Sequence, residues 1–117
     1  MAKTSTTSLS VAVSGDGVTE TYVPATAPII NAAAPAGGPL SVALATGDNT
    51  LTVPPGSQGF ILVPPSASAV AKKLKGVGGD TGFSLSPTQP SLIMLPVGAS
   101  TVLINAASSE TVQIHWI

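Results

Sequence analysis

The chain has 117 residues, no cysteine, a formal net charge of −1 and only 8% charged residues, against 44% hydrophobic ones. That length suits one domain able to bury a core without metal or disulfide. The charge balance leaves no basic footprint for nucleic acid, and the lack of cysteine removes any disulfide framework or thiolate metal site.

From the N-terminus, "TSTTSLS" after Lys3 is polar, so no secretory leader is expected. The apolar runs "FILV" and "LIMLPV" fall far short of the about 20 residues that cross a membrane, so no membrane partner is expected. Leu9, Val11 and Val13 alternate with small residues, which predicts a strand over 7–14. "SGDG" at 14–17 is a turn signal, and a second strand is expected over 18–23. Residues 24–39, "PATAPIINAAAPAGGP", hold four prolines and two glycines in sixteen positions. A long loop is expected there, either a connection between sheets or an arm that lies on a neighbouring subunit. Leu40, Val42 and Leu44 alternate again over 40–45, and "TGDN" at 46–49 signals another turn.

Strands follow over 50–53 and 59–63. Pro54-Pro55 ends the first, Gly56-Ser57 turns the chain, and Pro64-Pro65 stops the second. "GFILV" between them does not alternate, as expected of a strand covered on both faces. The flanks Val53, Phe60 and Val63 are apolar, which argues for architecture over a proline-rich recognition peptide. Further strands are expected over 69–75, 82–86, 91–95, 101–105 and 111–117. Eight to ten short strands without a helical stripe predict an all-β, two-sheet antiparallel sandwich, jelly-roll-like, spanning 1–117 as one domain.

Little chemistry is on offer. The single histidine, His115, shares a strand face with Thr111 and Gln113, opposite Val112, Ile114 and Trp116. A solvent-facing or interface histidine is expected. No serine stands in a G-x-S-x-G context, and one histidine is too few for a histidine-based zinc site. Of the carboxylates Asp16, Glu20, Asp48, Asp80 and Glu110, three fall in glycine-containing turns, where Asp hydrogen-bonds its own backbone. No calcium-loop spacing occurs, and four aromatic residues make a poor sugar platform. "GVGGDTG" at 76–82 lacks the Lys-Ser or Lys-Thr of a phosphate loop and reads as a turn. No catalytic, cofactor-binding or metal residue is assigned, and no enzyme activity is expected. On "KKLK", Lys73 and Lys75 face one way while Lys72 shares a face with Val70 and Leu74. An inward lysine that protects an edge strand is expected, with a small basic contact for an acidic partner as the other reading.

The run "LTVPPGSQGFILVPP", then "KGVGGDTGFSLSPTQPSLIMLP", then "VQIHWI", resembles small accessory virion proteins of tailed bacteriophages, over about residues 50–117. The shared pattern is a series of structural turns and carries no catalytic residue. The resemblance implies a capsid decoration or cement protein, made in the host cytoplasm and seated on the virion. It implies partners such as the major capsid protein and a homo-oligomer, with a trimer favoured. The other function class left open is a carbohydrate- or receptor-binding module of a tail or fibre. A glycan binder should show an aromatic or calcium-lined site, and a decoration protein a broad, flat, aliphatic face.

Overall fold

The computed structural model describes residues 3–8, 11–15, 17–22, 29–35, 39–96 and 98–117. Among the described residues there are twelve strands and no helix. The first four are β1 (Lys3–Thr7), β2 (Val11–Gly15), β3 (Val18–Tyr22) and β4 (Ile29–Ala34). They form two separate two-stranded ribbons, β1-β4 and β2-β3.

The other eight make the sandwich. They are β5 (Leu40–Leu44), β6 (Gly47–Thr52), β7 (Gly59–Val63), β8 (Lys72–Lys75), β9 (Phe83–Leu85), β10 (Ser91–Met94), β11 (Thr101–Ala106) and β12 (Glu110–Trp116). One sheet has the order β10-β7-β12-β5 and the other β6-β11-β8-β9, all antiparallel. The pairing is nested. β8 pairs with β9, β7 with β10, β6 with β11 and β5 with β12. A long antiparallel ribbon is thereby rolled so that its strands fall into two facing sheets, which is the jelly roll.

The alternating residues fill the space between the sheets. Leu44, Phe60, Leu62, Ile104, Val112 and Ile114 are each no more than 2% exposed. Burial of this kind stabilises by about 1.5–3 kcal/mol per large side chain. Phe60 and Trp116 meet with ring centroids 5.2 Å apart in a tilted arrangement, a favoured aromatic geometry.

The paired prolines act as strand stops. β6 ends before Pro54-Pro55, the Ser57 N–H donates to the Pro54 carbonyl at 3.2 Å, and β7 ends before Pro64-Pro65. Gly56 makes the turn with φ +86°. A Cβ there would lie 2.5 Å from the Ala33 carbonyl oxygen, so the turn suits glycine alone.

Several expectations need correction. The strand expected over 7–14 is two strands, β1 and β2, and residues 9–10 between them lie outside the described residues. Within 24–39, where a loop or arm is expected, residues 29–34 are strand β4. Pro28 and Pro35 flank it without interrupting it, so its N–H groups stay free to pair with β1. The rest of that segment, 24–28 and 36–38, lies outside the described residues. "TGDN" is not a four-residue turn, because β6 already begins at Gly47. The chain crosses from one sheet to the other there, and the Asn49 side chain braces the corner. Its Oδ1 accepts from the Ala45 N–H at 2.9 Å, and its Nδ2 donates to the carbonyls of Ala45, Gly47 and Ile104.

Candidate functional site

Among the described residues, the features that the sequence marks for chemistry do not gather at one place. His115 lies on the outer face of β12, half-buried, with Thr111 and Gln113 exposed on the same face. Across the sheet it pairs with Ile61, not with a carboxylate.

Among the described residues Lys72 is the most deeply buried charge. It is 1% exposed, and its Nζ donates to Glu110 Oε1 at 2.5 Å and to the Val70 carbonyl at 2.9 Å. The Ser68 hydroxyl donates to the other oxygen, Glu110 Oε2. Burial pushes the Glu110 carboxyl up. The hydrogen bonds from Lys72 and Ser68, and the Lys72 charge, outweigh that and hold it below the ordinary glutamate range. The edge-protection reading of Lys72 is therefore wrong. β8 is an inner strand, paired with β11 on one side and β9 on the other. The inward lysine answers an inward glutamate 38 residues along the chain. A buried ammonium without such a partner would be costly.

Lys75, Asp48 and Asp80 also hold structure. Lys75 donates to Asp48 Oδ1 at 3.0 Å, and the Asn105 amide donates to the same oxygen at 2.7 Å. The Asn105 hydrogen bond, then that of Lys75, lowers the Asp48 titration from its ordinary value. Asp48 stands on β6 and not in the turn expected for it. Asp80 does serve a turn, accepting from the backbone N–H groups of Gly76 and Val77 at 3.2 and 3.0 Å. Asp16 lies outside the described residues, and Glu20 lies on β3. Among the described residues no three His, Cys, Asp or Glu side chains gather as a metal site would require. Every buried side-chain nitrogen or oxygen among them has a hydrogen-bond partner.

What stands out is the outer face of the β10-β7-β12-β5 sheet. Residues opposite each other in an antiparallel pair share a face. Leu92 pairs with Ile61 and Ile61 with His115; Val63 pairs with Gln113 and Gln113 with Ser41. Because Val112, Ile114 and Trp116 point into the core, all of these point outward. Met94, opposite Gly59, completes the apolar half of this face. Its sulfur would stand 3.2 Å from a Cβ at Gly59. Leu92 and Met94 are each 42% exposed, and Ile61 and Val63 are half-buried. The expectation that "GFILV" is covered on both faces fails on this side. β7 is central, between β10 and β12, but only Phe60 and Leu62 face the opposite sheet. The lack of alternation in "GFILV" signals an apolar outer face.

The face bears no Asp, Glu, Lys or Arg. At its β5 side a shallow depression of about 330 Å³ is lined by Ser41, Val63, Pro64, Pro65, Thr111 and Gln113. Two aromatic residues, Phe60 and Trp116, are in the core, and Phe83 on β9 is 73% exposed on the other sheet. Sheet geometry thus presents a flat, uncharged, partly aliphatic surface. It can make van der Waals contact and hydroxyl or amide hydrogen bonds, and it offers no acid–base pair.

Compared with known proteins, the chain matches no family model, no curated protein and no solved structure.

Proposed function

We propose that this chain is a structural virion protein of a tailed bacteriophage. It decorates or cements the capsid through protein–protein contacts, with its own copies and with subunits such as the major capsid protein. It is not an enzyme. The observation that carries this reading is the flat, uncharged outer face with Ile61, Val63, Leu92 and Met94 along one half. Contiguous exposed apolar surface usually marks a contact site. The turn pattern over residues 50–117 supplies the virion context, and the jelly roll agrees by analogy of fold, since capsid and lectin domains both use it. The same face weighs against a glycan-binding module, because its apolar residues are aliphatic where sugar recognition would call for an aromatic platform. The resemblance further implies three copies about a local three-fold axis. Mass spectrometry of purified particles should find the chain in stoichiometric amounts, and image reconstruction should place it on the capsid surface. Its absence from purified particles would overturn the reading.

A further inference from the structure

Four strands form the edges of the two four-stranded sheets, β10 and β5 in one and β6 and β9 in the other. An edge strand offers a row of unpaired N–H and C=O groups to another chain unless it is very short, charged or broken. β9 has only three residues and β10 four. β6 carries the charge of Asp48, which holds Lys75 at 3.0 Å. β5, Leu40–Leu44, has five residues and neither a charge nor a proline within it. Among the described residues it pairs with β12 alone. Leu40 lies opposite Ile114 and Val42 opposite Val112, and both of those partners are buried in the core. Leu40 and Val42 therefore face inward as well. Yet Leu40 is 51% exposed, so the core layer is open to solvent beside this edge.

We infer that β5 pairs antiparallel with β5 of a second copy of this chain, about a two-fold axis at Val42. The two β10-β7-β12-β5 sheets then run on as one sheet. Three observations select that occupant. First, the register is consistent with itself. Centred on Val42, the pairing sets Leu40 opposite Leu44 and Ser41 opposite Ala43 of the second copy, and it uses every residue of both strands. Opposed residues have the same parity, so each N–H and C=O turned away from β12 meets groups turned away in the second copy. Second, the faces match. Leu40, Val42 and Leu44 of both copies lie on the inner side, and the small Ser41 and Ala43 on the outer side. Leu40 gains an apolar neighbour across the ladder at roughly 5 Å between Cβ atoms. Third, neither strand carries a charge, so no like charges are set opposite each other. Pairing with β6, β9 or β10 of the second copy would meet the charge or the short length that guards those edges. A two-fold contact needs only one self-complementary surface, and β5 supplies it. Five residues a side is far below the roughly 20–30 of a stable interface. The contact is accordingly weak, with an expected dissociation constant of about 0.1–1 mM.

The inference goes beyond the proposed function and does not rest on it, since pairing at β5 leaves Leu92 and Met94 on β10, at the other edge of the sheet, free for other contacts. Its test uses purified full-length protein without particles. Sedimentation equilibrium between about 10 μM and 1 mM should show the 11.4 kDa monomer passing into a dimer. Ala43→Lys places a charge on the exposed outer side of the edge. It should hold the protein monomeric throughout and leave the far-ultraviolet spectrum unchanged. Leu92→Glu, on the opposite edge strand, should leave the dimer intact. The chain has no cysteine, so engineered thiols have no background. A mixture of Ser41→Cys and Ala43→Cys chains should oxidise to a mixed disulfide dimer several-fold faster than either variant alone. Only the mixed pair brings Cα atoms within the about 4.4–6.8 Å that a disulfide spans. A wild-type chain still monomeric at 1 mM would overturn the inference. So would a folded Ala43→Lys variant that dimerises like the wild type, or a mixture of thiol variants that oxidises no faster than each alone. A dimer lost in Leu92→Glu would also overturn it, because association would then run through the apolar outer face. Failure to find the protein in particles, with the β5 pairing confirmed, would overturn the virion reading alone.

Discussion

Replacing Lys72 by Met tests the buried ion pair most sharply. Methionine keeps an unbranched stem of similar length, so the packing of β8 is largely retained. The change removes the donor to Glu110 Oε1 at 2.5 Å and to the Val70 carbonyl at 2.9 Å. The Lys72 side chain is 0% exposed and that of Glu110 8%, so water replaces neither bond readily. An acceptor left without a partner costs about 1–3 kcal/mol. Breaking one side of a buried pair costs about 3–5 kcal/mol in total. The expected loss is about 3 kcal/mol, at the low end, because Ser68 still donates to Glu110. With an m-value of about 1.5 kcal/mol per molar urea, the midpoint falls by roughly 2 M. Trp116 is the single tryptophan and is buried, so its fluorescence reports unfolding. Adding Glu110→Gln to Lys72→Met removes the stranded charge and should recover about 1–2 kcal/mol, a coupling that a double-mutant cycle isolates. Protein concentration is held constant throughout, because association stabilises by mass action. A Lys72→Met midpoint at pH 7 within the error of the wild type, or a cycle with no coupling, would show that the ion pair does not stabilise the fold.

Glu110 and Asp48 both titrate below their ordinary values in the folded chain, so each contributes stability that is fully present above the ordinary carboxylate range. That contribution is lost as the pH falls through the lowered folded values, so urea midpoints should drop in acid, and by less in Lys72→Met. Gly59→Ala would place a Cβ 2.5 Å from the Ile93 carbonyl oxygen, forcing β10 away from β7. A loss of about 2 kcal/mol or more is expected in urea melts, and an unchanged midpoint would show the two strands to be loosely held. Ile104→Ala, at a fully buried position of β11, should cost about 2–5 kcal/mol by calorimetry or urea. His115→Ala should leave stability within about 0.5 kcal/mol, because the side chain is on the outer face. A larger loss would show that His115 holds a contact within the fold.

Local pattern was enough for the sandwich strands. Val112, Ile114 and Trp116 alternate because successive strand residues face opposite sides, and all three are buried. Pro54-Pro55 and Pro64-Pro65 marked strand ends because a residue without an N–H cannot continue a ladder. What the pattern could not supply was the identity of each strand's neighbours. Whether β8 is an edge or an inner strand depends on β9 and β11 arriving beside it, and the nested pairing sets that. The Lys72–Glu110 link was half legible, since Lys72 shares parity with the inward Leu74, and Glu110 with Val112. Their meeting across 38 residues is a consequence of β8 and β12 lying in opposite sheets. β4 went unread because Ala-rich sequence between prolines has weak strand preference, and its pairing with β1 overrides that. The outer apolar face was present in "GFILV" as a broken alternation. That Leu92 and Met94 stay partly exposed among the described residues was settled by the packing of the two sheets, because coverage depends on where distant segments pack and not on the local period.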